Sequence, residues 1–321
     1  MRILITGGAG FIGSNLTEHL VSLNEVEKVR VLDNLSTGSM KNLETLTNNS
    51  KFEFIEGDIR NYDTCLKACT GMDLVSHQAA LGSVPRSIND PLTTNEVNIT
   101  GTLNIFTAAK ETKIKRVVYA ASSSTYGDHP GLPKVEDNIG KPLSPYAVTK
   151  YVNELYARVY ADVYGMELIG LRYFNVFGPR QNPQGPYAAV IPLFIKAVLN
   201  NEPPVINGDG EHSRDFTFVG NAVDANVRAL TVVNPEAVNQ VYNIAFGERT
   251  TLNEVFESIK EVAGSDLAPL YGPERKGDVK HSLADISKAK DLLGYQPATS
   301  VREGLKTAFE WYREHHHFSY S

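Results

Sequence analysis

The feature that most constrains the fold lies at the start of the chain, where a short apolar run leads into three evenly spaced glycines. Residues 3–5 have the composition of a buried strand, and residues 14–20 are compatible with a helix. Gly7 permits a tight turn, Gly10 lets the backbone approach a pyrophosphate, and Gly13 lets the helix pack closely on the strand. The N-terminus of such a helix favours phosphate groups. The pattern therefore predicts a dinucleotide-binding βα unit.

An acidic residue follows at the position that a dinucleotide site requires. Asp33 comes about twenty residues after Gly13 and closes a second apolar run, residues 29–32. A carboxylate at this place suits the hydroxyls of an adenosine ribose and repels a 2′-phosphate. An ordinary glycine turn between a strand and a helix has no need of it. We therefore expect the cofactor to be NAD, and not NADP.

Alternating apolar runs and helical stretches predict a doubly wound parallel sheet with helices on both faces, an α/β fold. The strand-like runs are 2–6, 28–33, 51–55, 73–77, 116–121 and 167–173. Later helices are expected near 188–200, 219–231, 251–263 and 302–314. Proline and glycine become frequent after residue 175. We expect residues 1–175 to form the NAD-binding domain and residues 176–321 a smaller α/β substrate domain, with a segment near 215–245 able to return to the first domain.

Charge and cysteine content exclude several classes of protein. The net charge of −6 argues against a nucleic-acid or membrane partner, and no apolar run approaches membrane-spanning length. Cys65 and Cys69 make neither a zinc site nor a disulfide framework, so no metal is expected. Because the first strand begins at the initiator methionine, no signal peptide is expected and a cytoplasmic location is predicted.

A tyrosine and a lysine one helical turn apart are candidates for catalysis. Tyr146 and Lys150 follow Pro145, which suits a helix start. A phenol with an ordinary pKa of about 10 is a poor base near neutrality, and a nearby cation lowers that pKa. Such pairs are common by chance on solvated helix faces. The dinucleotide pattern and the serines of residues 122–124, which end a predicted strand, favour a catalytic role.

Several further short segments occur in a fixed order along the chain. Together they are residues 6–13, 33–34, 57–59, 77–80, 98–102, 122–127, 144–146 with Lys150, 171–175, 213–216 and 275–278. In this ordered set the chain resembles the extended short-chain dehydrogenase/reductases and, within them, the UDP-hexose 4-epimerases. Residues 81–87 are most similar to bacterial O-antigen-type UDP-N-acetylglucosamine 4-epimerases.

The resemblance implies a role for each matching residue. Tyr146 is the acid/base, Lys150 positions the nicotinamide ribose and lowers the pKa of the phenol, and Ser122 contacts the sugar O4 and Tyr146. The implied NAD contacts are Gly7, Gly10, Phe11, Ile12, Gly13, Asp33, Asn34, Asp58, Ile59, Gln78, Ala79, Tyr146, Lys150 and Phe174. The implied contacts of the UDP-sugar are Gly82, Ser83, Ser122, Ser123, Tyr146, Asn175, Arg214, Arg275 and Ser282. Which of the serines 122–124 touches the sugar stays open.

Two positions distinguish this chain from relatives. Sugar-nucleotide 4,6-dehydratases carry an Asp-Glu pair where this chain has Ser123 and Ser124, which cannot supply the acid of an elimination. Ser282 stands where epimerases limited to unacetylated hexoses carry a bulky tyrosine, and it leaves room for an N-acetyl group. We therefore expect NAD-dependent conversion of UDP-N-acetylglucosamine to UDP-N-acetylgalactosamine.

Other functions and the oligomeric state stay open. The alternatives are a UDP-glucose/UDP-galactose or UDP-glucuronate 4-epimerase, a 4,6-dehydratase and a non-catalytic NAD-sensing protein. The resemblance also implies a homodimer formed by helices near 92–110 and 146–163. The second of these carries an apolar and aromatic stripe over residues 151–160, although packing inside one chain would produce a similar stripe.

Overall fold

A seven-stranded parallel sheet organises the residues that the computed structural model describes, which are 1–184, 188–274 and 280–315. Its strands are β1 Arg2–Thr6, β2 Lys28–Asp33, β3 Phe52–Glu56, β4 Leu74–His77, β5 Arg116–Ser122, β6 Glu167–Tyr173 and β11 Val241–Ile244. Short strands β7 Val176–Phe177, β8 Val205–Asn207, β9 Ser213–Arg214, β10 Thr217–Phe218, β12 Thr250–Thr251 and β13 Leu270–Gly272 form three separate pairs. The order of the large sheet is β11-β6-β5-β4-β1-β2-β3, so the predicted doubly wound sheet is confirmed.

Helices cover both faces of this sheet, and others pack with one another in the later part of the chain. They are α1 Phe11–Ser22, α2 Tyr62–Cys69, α3 Val84–Asn89, α4 Pro91–Asn95, α5 Gly101–Glu111, α6 Pro145–Tyr164, α7 Val190–Leu199, α8 Val219–Thr231, α9 Leu252–Ala263, α10 Ser287–Leu293 and α11 Val301–Glu314. A π-helical turn, Glu96–Thr100, joins α4 to α5, and 3-10 turns lie at Met40–Leu46, Ser123–Tyr126 and Pro235–Ala237. The helices predicted after residue 175 begin and end within two residues of these bounds.

Successive side chains of β1 face opposite sides of the sheet, as expected of a strand that is buried on both faces. Ile3 and Ile5 pack into one core cluster with α1 and α8, whereas Leu4 packs into the opposite cluster with α2 and α5. A third cluster, formed by α7, α9 and α11, lies within residues 177–312. The polar carboxyl ends of the parallel strands are thus left to line a crevice.

A late segment of the chain completes the sheet. β11 runs parallel to β6, with Val241 opposite Gly170 and Ile244 opposite Tyr173. α8 packs beneath β4, β5 and β6 and contacts α1. Residues near 215–245 therefore lie against the first part of the chain, while the division into two domains at residue 175 stays a prediction.

Local capping explains where the long helix α6 begins and ends. The Ser144 hydroxyl accepts a hydrogen bond from the Ala147 N–H, and Pro145 occupies the first helical position. Gly165 ends the helix in the left-handed conformation, with φ of 68°. This start places Tyr146 and Lys150 on the first turns of the helix, beside the end of β5.

Candidate functional site

A cavity of about 480 Å³ lies at the carboxyl ends of β1, β2, β4, β5 and β6. It brings together most of the residues that the sequence analysis selected. Those lining it are Gly7, Gly10, Phe11, Ile12, Gly13, Asp33, Asn34, Asp58, Ile59, Gln78, Ala79, Gly82, Ser122, Ser123, Tyr146, Lys150 and Asn175. The predicted residues are thus neighbours in space, although their individual roles stay predictions.

The glycine turn at one end of the cavity fits a pyrophosphate. Gly7 has a φ of 70°, which favours glycine, and its N–H donates to the Leu32 carbonyl at 2.8 Å. A Cβ on Gly13 would lie 2.1 Å from the Gly7 carbonyl oxygen, so only glycine permits this close packing. The first turn of α1 carries no acidic side chain, and its N–H groups therefore remain suited to an anion.

Polar side chains beyond the turn fit the adenosine end of NAD. The buried Asp33 carboxylate accepts the N–H groups of Ala9 at 2.9 Å and Leu35 at 2.8 Å, which keep it in place. Burial raises the pKa of Asp33, and these two hydrogen bonds oppose that rise. Asn34 donates to Asp58, whose pKa is lowered to about 2 chiefly by hydrogen bonds from Arg60. This acidic edge suits a ribose diol and disfavours a 2′-phosphate.

Tyr146 and Lys150 lie at the opposite end of the cavity from the glycine turn. Burial raises the pKa of the Tyr146 phenol, and a hydrogen bond with Ser122 lowers it. The Lys150 ammonium donates to the Ala120 carbonyl at 2.7 Å and lies 6.0 Å from the centre of the Tyr146 ring. Burial lowers the pKa of Lys150 to about 8. The ammonium is thus desolvated and directed at a backbone carbonyl, and the lowering of the phenol pKa by Lys150 stays a prediction.

The serines that follow β5 have distinct positions. Ser122 is buried at the end of β5, and it lines the cavity together with Ser123 and Tyr146. Ser124 does not line the cavity; its N–H and its Oγ donate to the Ser122 Oγ at 3.1 and 2.9 Å. The contact of one of these serines with the sugar stays a prediction.

A second cavity, of about 270 Å³, adjoins the first at Asn175. It contains Arg214, whose Nη1 donates to the carbonyls of Ser213 and Lys280 at 3.1 and 2.9 Å. Asn175 has a φ of 36°, a strained value for a residue other than glycine, and its amide donates to the Ser282 Oγ at 3.3 Å. Ser282 thus contacts the cavity wall from behind. The remaining predicted residue, Arg275, lies outside the described residues.

Besides Ser282, two predicted residues among the described ones line neither of these cavities. Phe174 is buried in the core, 5.9 Å from the Tyr126 ring, because Tyr173 and Asn175 on either side of it point into the cavity. Alternate residues of an extended chain face opposite sides, so the side chain of Phe174 cannot also face NAD. Ser83 instead caps α3, where its hydroxyl accepts the Arg86 N–H at 3.2 Å.

Asn98 supports the site, although it was not among the predicted site residues. It is fully buried on the π-helical turn, accepts the Leu81 N–H at 2.8 Å and donates to the Thr149 Oγ1 at 3.0 Å. It therefore connects the loop that carries Gly82 to the helix of Tyr146. The segment 98–102 signalled its family, but a π-helical turn, which often occurs at functional sites, has no reliable sequence pattern.

A ring of hydrogen bonds holds one wall of the cavity. The Tyr173 hydroxyl donates to Gln78 Oε1 at 3.0 Å and accepts from Asn226 Nδ2 at 2.8 Å. Gln78 Nε2 in turn donates to Asn226 Oδ1 at 3.0 Å. Asn226 is fully buried on α8, so a helix from late in the chain orients two residues of the cavity. No sequence signal pointed to Asn226.

The described part of the chain contains no cluster of three or more His, Cys, Asp or Glu side chains able to hold a metal ion. Among its helices, none combines the length and the apolar character needed to cross a bilayer.

A parallel sheet with a phosphate-binding glycine turn, an acidic ribose edge and a serine–tyrosine–lysine group defines a dinucleotide-dependent protein of the short-chain dehydrogenase/reductase fold. Residues 3–245 match the NAD dependent epimerase/dehydratase family, and the chain belongs to that family.

Similar proteins span nearly the whole chain. A solved UDP-N-acetylglucosamine 4-epimerase from Methanobrevibacter ruminantium, in complex with UDP-N-acetylmuramic acid, is 43% identical, with a TM-score of 0.92 over 98% of each chain. The UDP-glucose 4-epimerase of Mycolicibacterium smegmatis is 38% identical over 98% of this chain and 99% of its own. A UDP-glucose 4-epimerase of Thermus thermophilus, solved with NAD, is 34% identical, with a TM-score of 0.86 over 98% and 99%.

Proposed function

We propose that this protein catalyses the reversible, NAD-dependent inversion of C4 in a UDP-sugar, with UDP-N-acetylglucosamine and UDP-N-acetylgalactosamine as its substrate pair. The observation that carries the proposal is a single cavity lined by Ser122, Tyr146 and Lys150 together with the glycine turn and Asp33. The second cavity with Arg214 joins it and offers a place for the UDP group. Relatives of this chain that are named UDP-sugar 4-epimerases support the assignment.

Each side chain of the site has a separate role in the proposed reaction. Bound NAD supplies the acceptor and the returning donor of the hydride at C4. Tyr146, as phenolate, removes the proton from the sugar O4 and later returns it, while Ser122 holds the oxygen in place. Arg214 and Asn175 retain the diphosphate, since a guanidinium suits phosphate oxygens. Because the sugar would be held through its diphosphate, the 4-keto sugar would be free to turn about its glycosyl–phosphate linkage and present its opposite face.

Free space in the sugar region supports an N-acetylated substrate. A Cβ built on Gly82 would meet nothing within 4 Å, and this glycine lines the main cavity. Ser282 is small and lies against Asn175, so neither residue fills the volume that an acetamido group would need. We expect Ser282→Tyr to reduce turnover of the N-acetylated sugars more than that of UDP-glucose, and Ser282→Ala to preserve the preference.

The test is a product analysis by NMR. Protein purified without added NAD is incubated separately with UDP-glucose, UDP-galactose and their N-acetylamino counterparts. The expected result is interconversion of the N-acetylated pair without NADH accumulation, because NAD is regenerated in each cycle. Efficient conversion of the unacetylated pair alone would overturn the substrate assignment. A competition assay with UDP-glucuronate tests the remaining alternative, a UDP-glucuronate 4-epimerase.

Two functions of other kinds are distinguished by their products and variants. A 4,6-dehydratase would accumulate a 4-keto-6-deoxy sugar, which the same NMR spectra would reveal. A non-catalytic NAD sensor would be indifferent to Tyr146→Phe. For an epimerase, we expect this variant to lose roughly 10²- to 10⁴-fold in kcat while still binding UDP.

We further infer a homodimer formed by α3, α4 and α6. Ile88, Leu92, Leu155 and Val159 are 60%, 77%, 50% and 50% exposed, so packing inside the monomer does not account for this apolar face. Exposed apolar side chains on three helices that contact one another favour a second copy of the chain. Sedimentation should give a dimer, and Val159→Glu should give a monomer. Val233→Glu, at a 94% exposed position outside these helices, is the matched control and should remain dimeric.

A further inference from the structure

Asp215 joins the chain segments that form the wall of the second cavity. Its carbonyl accepts a hydrogen bond from the Asn175 amide at 3.1 Å, and its N–H donates to the Ser282 Oγ at 3.3 Å. It directly follows Arg214, which lines that cavity. Three residues predicted to contact the UDP-sugar are therefore bonded to Asp215 or adjacent to it in the chain, although Asp215 itself lines neither cavity.

The carboxylate of Asp215 is fully buried and is satisfied by backbone N–H groups. Its Oδ1 accepts the N–H groups of Phe246 and Gly247, each at 3.1 Å, and its Oδ2 accepts those of Gly247 at 3.2 Å and Ala284 at 3.1 Å. A buried carboxylate is costly unless it is hydrogen-bonded, and bonds to a charged acceptor are the stronger ones. Because Phe246 and Gly247 come just after β11, an edge strand of the large sheet, the carboxylate fastens the cavity wall to that sheet.

The residue at the junction of the two cavities depends on this fastening. Asn175 lines both cavities and has a strained φ of 36°. Its carbonyl accepts the Thr217 N–H at 3.2 Å, while its side chain is held by the Asp215 carbonyl. A strained backbone persists only where its surroundings over-determine it. The segment that Asp215 fastens thus supplies the contacts that keep Asn175 in place.

We propose that Asp215 is a positioning residue for the substrate, whose carboxylate anchors the cavity wall so that Asn175 and Arg214 are already in place to hold the diphosphate of UDP. The proposal rests on the function proposed above. Preorganised contacts strengthen binding because less ordering is required when the ligand arrives.

The sign of the expected effect separates anchoring from simple electrostatics. A carboxylate next to the arginine of a diphosphate site repels the diphosphate. If charge alone mattered, removing the Asp215 carboxylate would strengthen UDP binding. If the carboxylate anchors the wall, removing it weakens UDP binding.

The test is a calorimetric titration of UDP into the NAD-loaded parent and its Asp215→Asn variant. Burial raises the pKa of Asp215 to about 6, so the titration is done at pH 8, where the carboxylate is ionised. Asparagine keeps the shape, but its nitrogen cannot accept an N–H. We expect the Kd for UDP to rise roughly tenfold, and KM for the UDP-sugar to rise with it. We expect kcat to stay within about twofold and the NAD content to be unchanged, because the nucleotide end of the cavity is untouched.

The matched control is Asp285→Asn, which removes the same charge one residue from Ala284. The Asp285 Oδ1 accepts the Ser287 N–H at 2.8 Å, and an asparagine oxygen can replace it. The Kd of this control for UDP should therefore stay at the parent value. An Asp215→Asn variant that bound UDP as tightly as the parent, or more tightly, would overturn the proposal.

A second measurement needs no variant and so does not depend on whether Asp215→Asn folds. Hydrogen exchange of the Gly247 and Ala284 amides is followed in the parent with and without UDP. Both amides donate to Asp215 and lie outside the cavities, so we expect UDP to slow their exchange roughly tenfold. UDP binding that left both amides unchanged would refute the anchoring. Because neither measurement requires turnover, weakened UDP binding without epimerisation would refute only the proposed function.

Discussion

The buried ion pair behind the active-site helix offers the sharpest test of how this site is supported. Glu154 lies one turn after Lys150 on α6, and both of its oxygens accept hydrogen bonds from Arg172 on β6, at 2.9 and 2.7 Å. Both side chains are less than 10% exposed. Although burial lowers the pKa of Arg172, the hydrogen bonds that it donates to the Glu154 carboxylate raise this pKa overall, so the guanidinium stays charged.

The loss of folding stability expected for Glu154→Ala follows from the partners that Arg172 would keep. Its Nη1 still donates to the Glu136 carbonyl at 2.8 Å, and its carbon lies 4.8 Å from the Tyr126 ring, but neither group is negatively charged. Leaving a buried charge unpaired costs about 3–5 kcal/mol. A recess of about 330 Å³ reaches this pair and would admit water, so we expect the lower end, about 3 kcal/mol. For a chain of this size that lowers Tm by roughly 6 °C.

Calorimetry of the parent and the variant at one NAD concentration measures this change. The matched control is Asp224→Ala, which breaks an ion pair of similar length, Arg228 with Asp224 at 2.6 Å on α8, at a solvent-exposed position away from the inferred dimer face. An exposed pair contributes about 0.5 kcal/mol or less, so the Tm of the control variant should barely change. The double variant Glu154→Met with Arg172→Met should recover stability, because no charge is left unpaired. If Glu154→Ala and Asp224→Ala lowered Tm equally, the argument from burial would be refuted.

Three further predictions concern the cavity and its support. Gly13→Ala should abolish copurification of NAD, measured by absorbance after denaturation, because its Cβ would lie 2.1 Å from the Gly7 carbonyl oxygen; retained NAD would contradict the packing argument. Asn98→Ala should speed hydrogen exchange of the Leu81 amide roughly tenfold or more, since that N–H loses its buried acceptor; unchanged protection would mean that Asn98 does not hold the loop. Burial raises the pKa of Asp215 to about 6, so the native state binds the extra proton as pH falls through 6. The stabilisation by that proton is complete below the ordinary pKa, and the Tm advantage of the parent over Asp215→Asn should therefore widen from pH 7 towards pH 4; a constant gap would contradict it.

The strands and the nucleotide end of the site could be predicted because their signals are local. Each predicted strand before residue 175 lies within one residue of its observed bounds, since a continuous apolar run is enough to specify a strand buried on both faces. Asp33 and the glycine turn are adjacent in space because β1 and β2 are neighbours in the sheet. The burial of the Phe174 side chain could not be predicted, because a motif identifies a residue but does not state on which side of the chain its side chain lies.

What the sequence alone determined is therefore the fold class and the dinucleotide turn, together with the candidates for the reactive side chains, all of which depend on residues close together in the chain. Only the tertiary structure decided how those side chains are tuned. The Lys150 ammonium is directed by the Ala120 carbonyl, thirty residues earlier, and Gln78 is oriented through Asn226 on a helix that arrives much later. Hydrogen-bond direction and desolvation depend on such distant partners, and no local pattern specifies them.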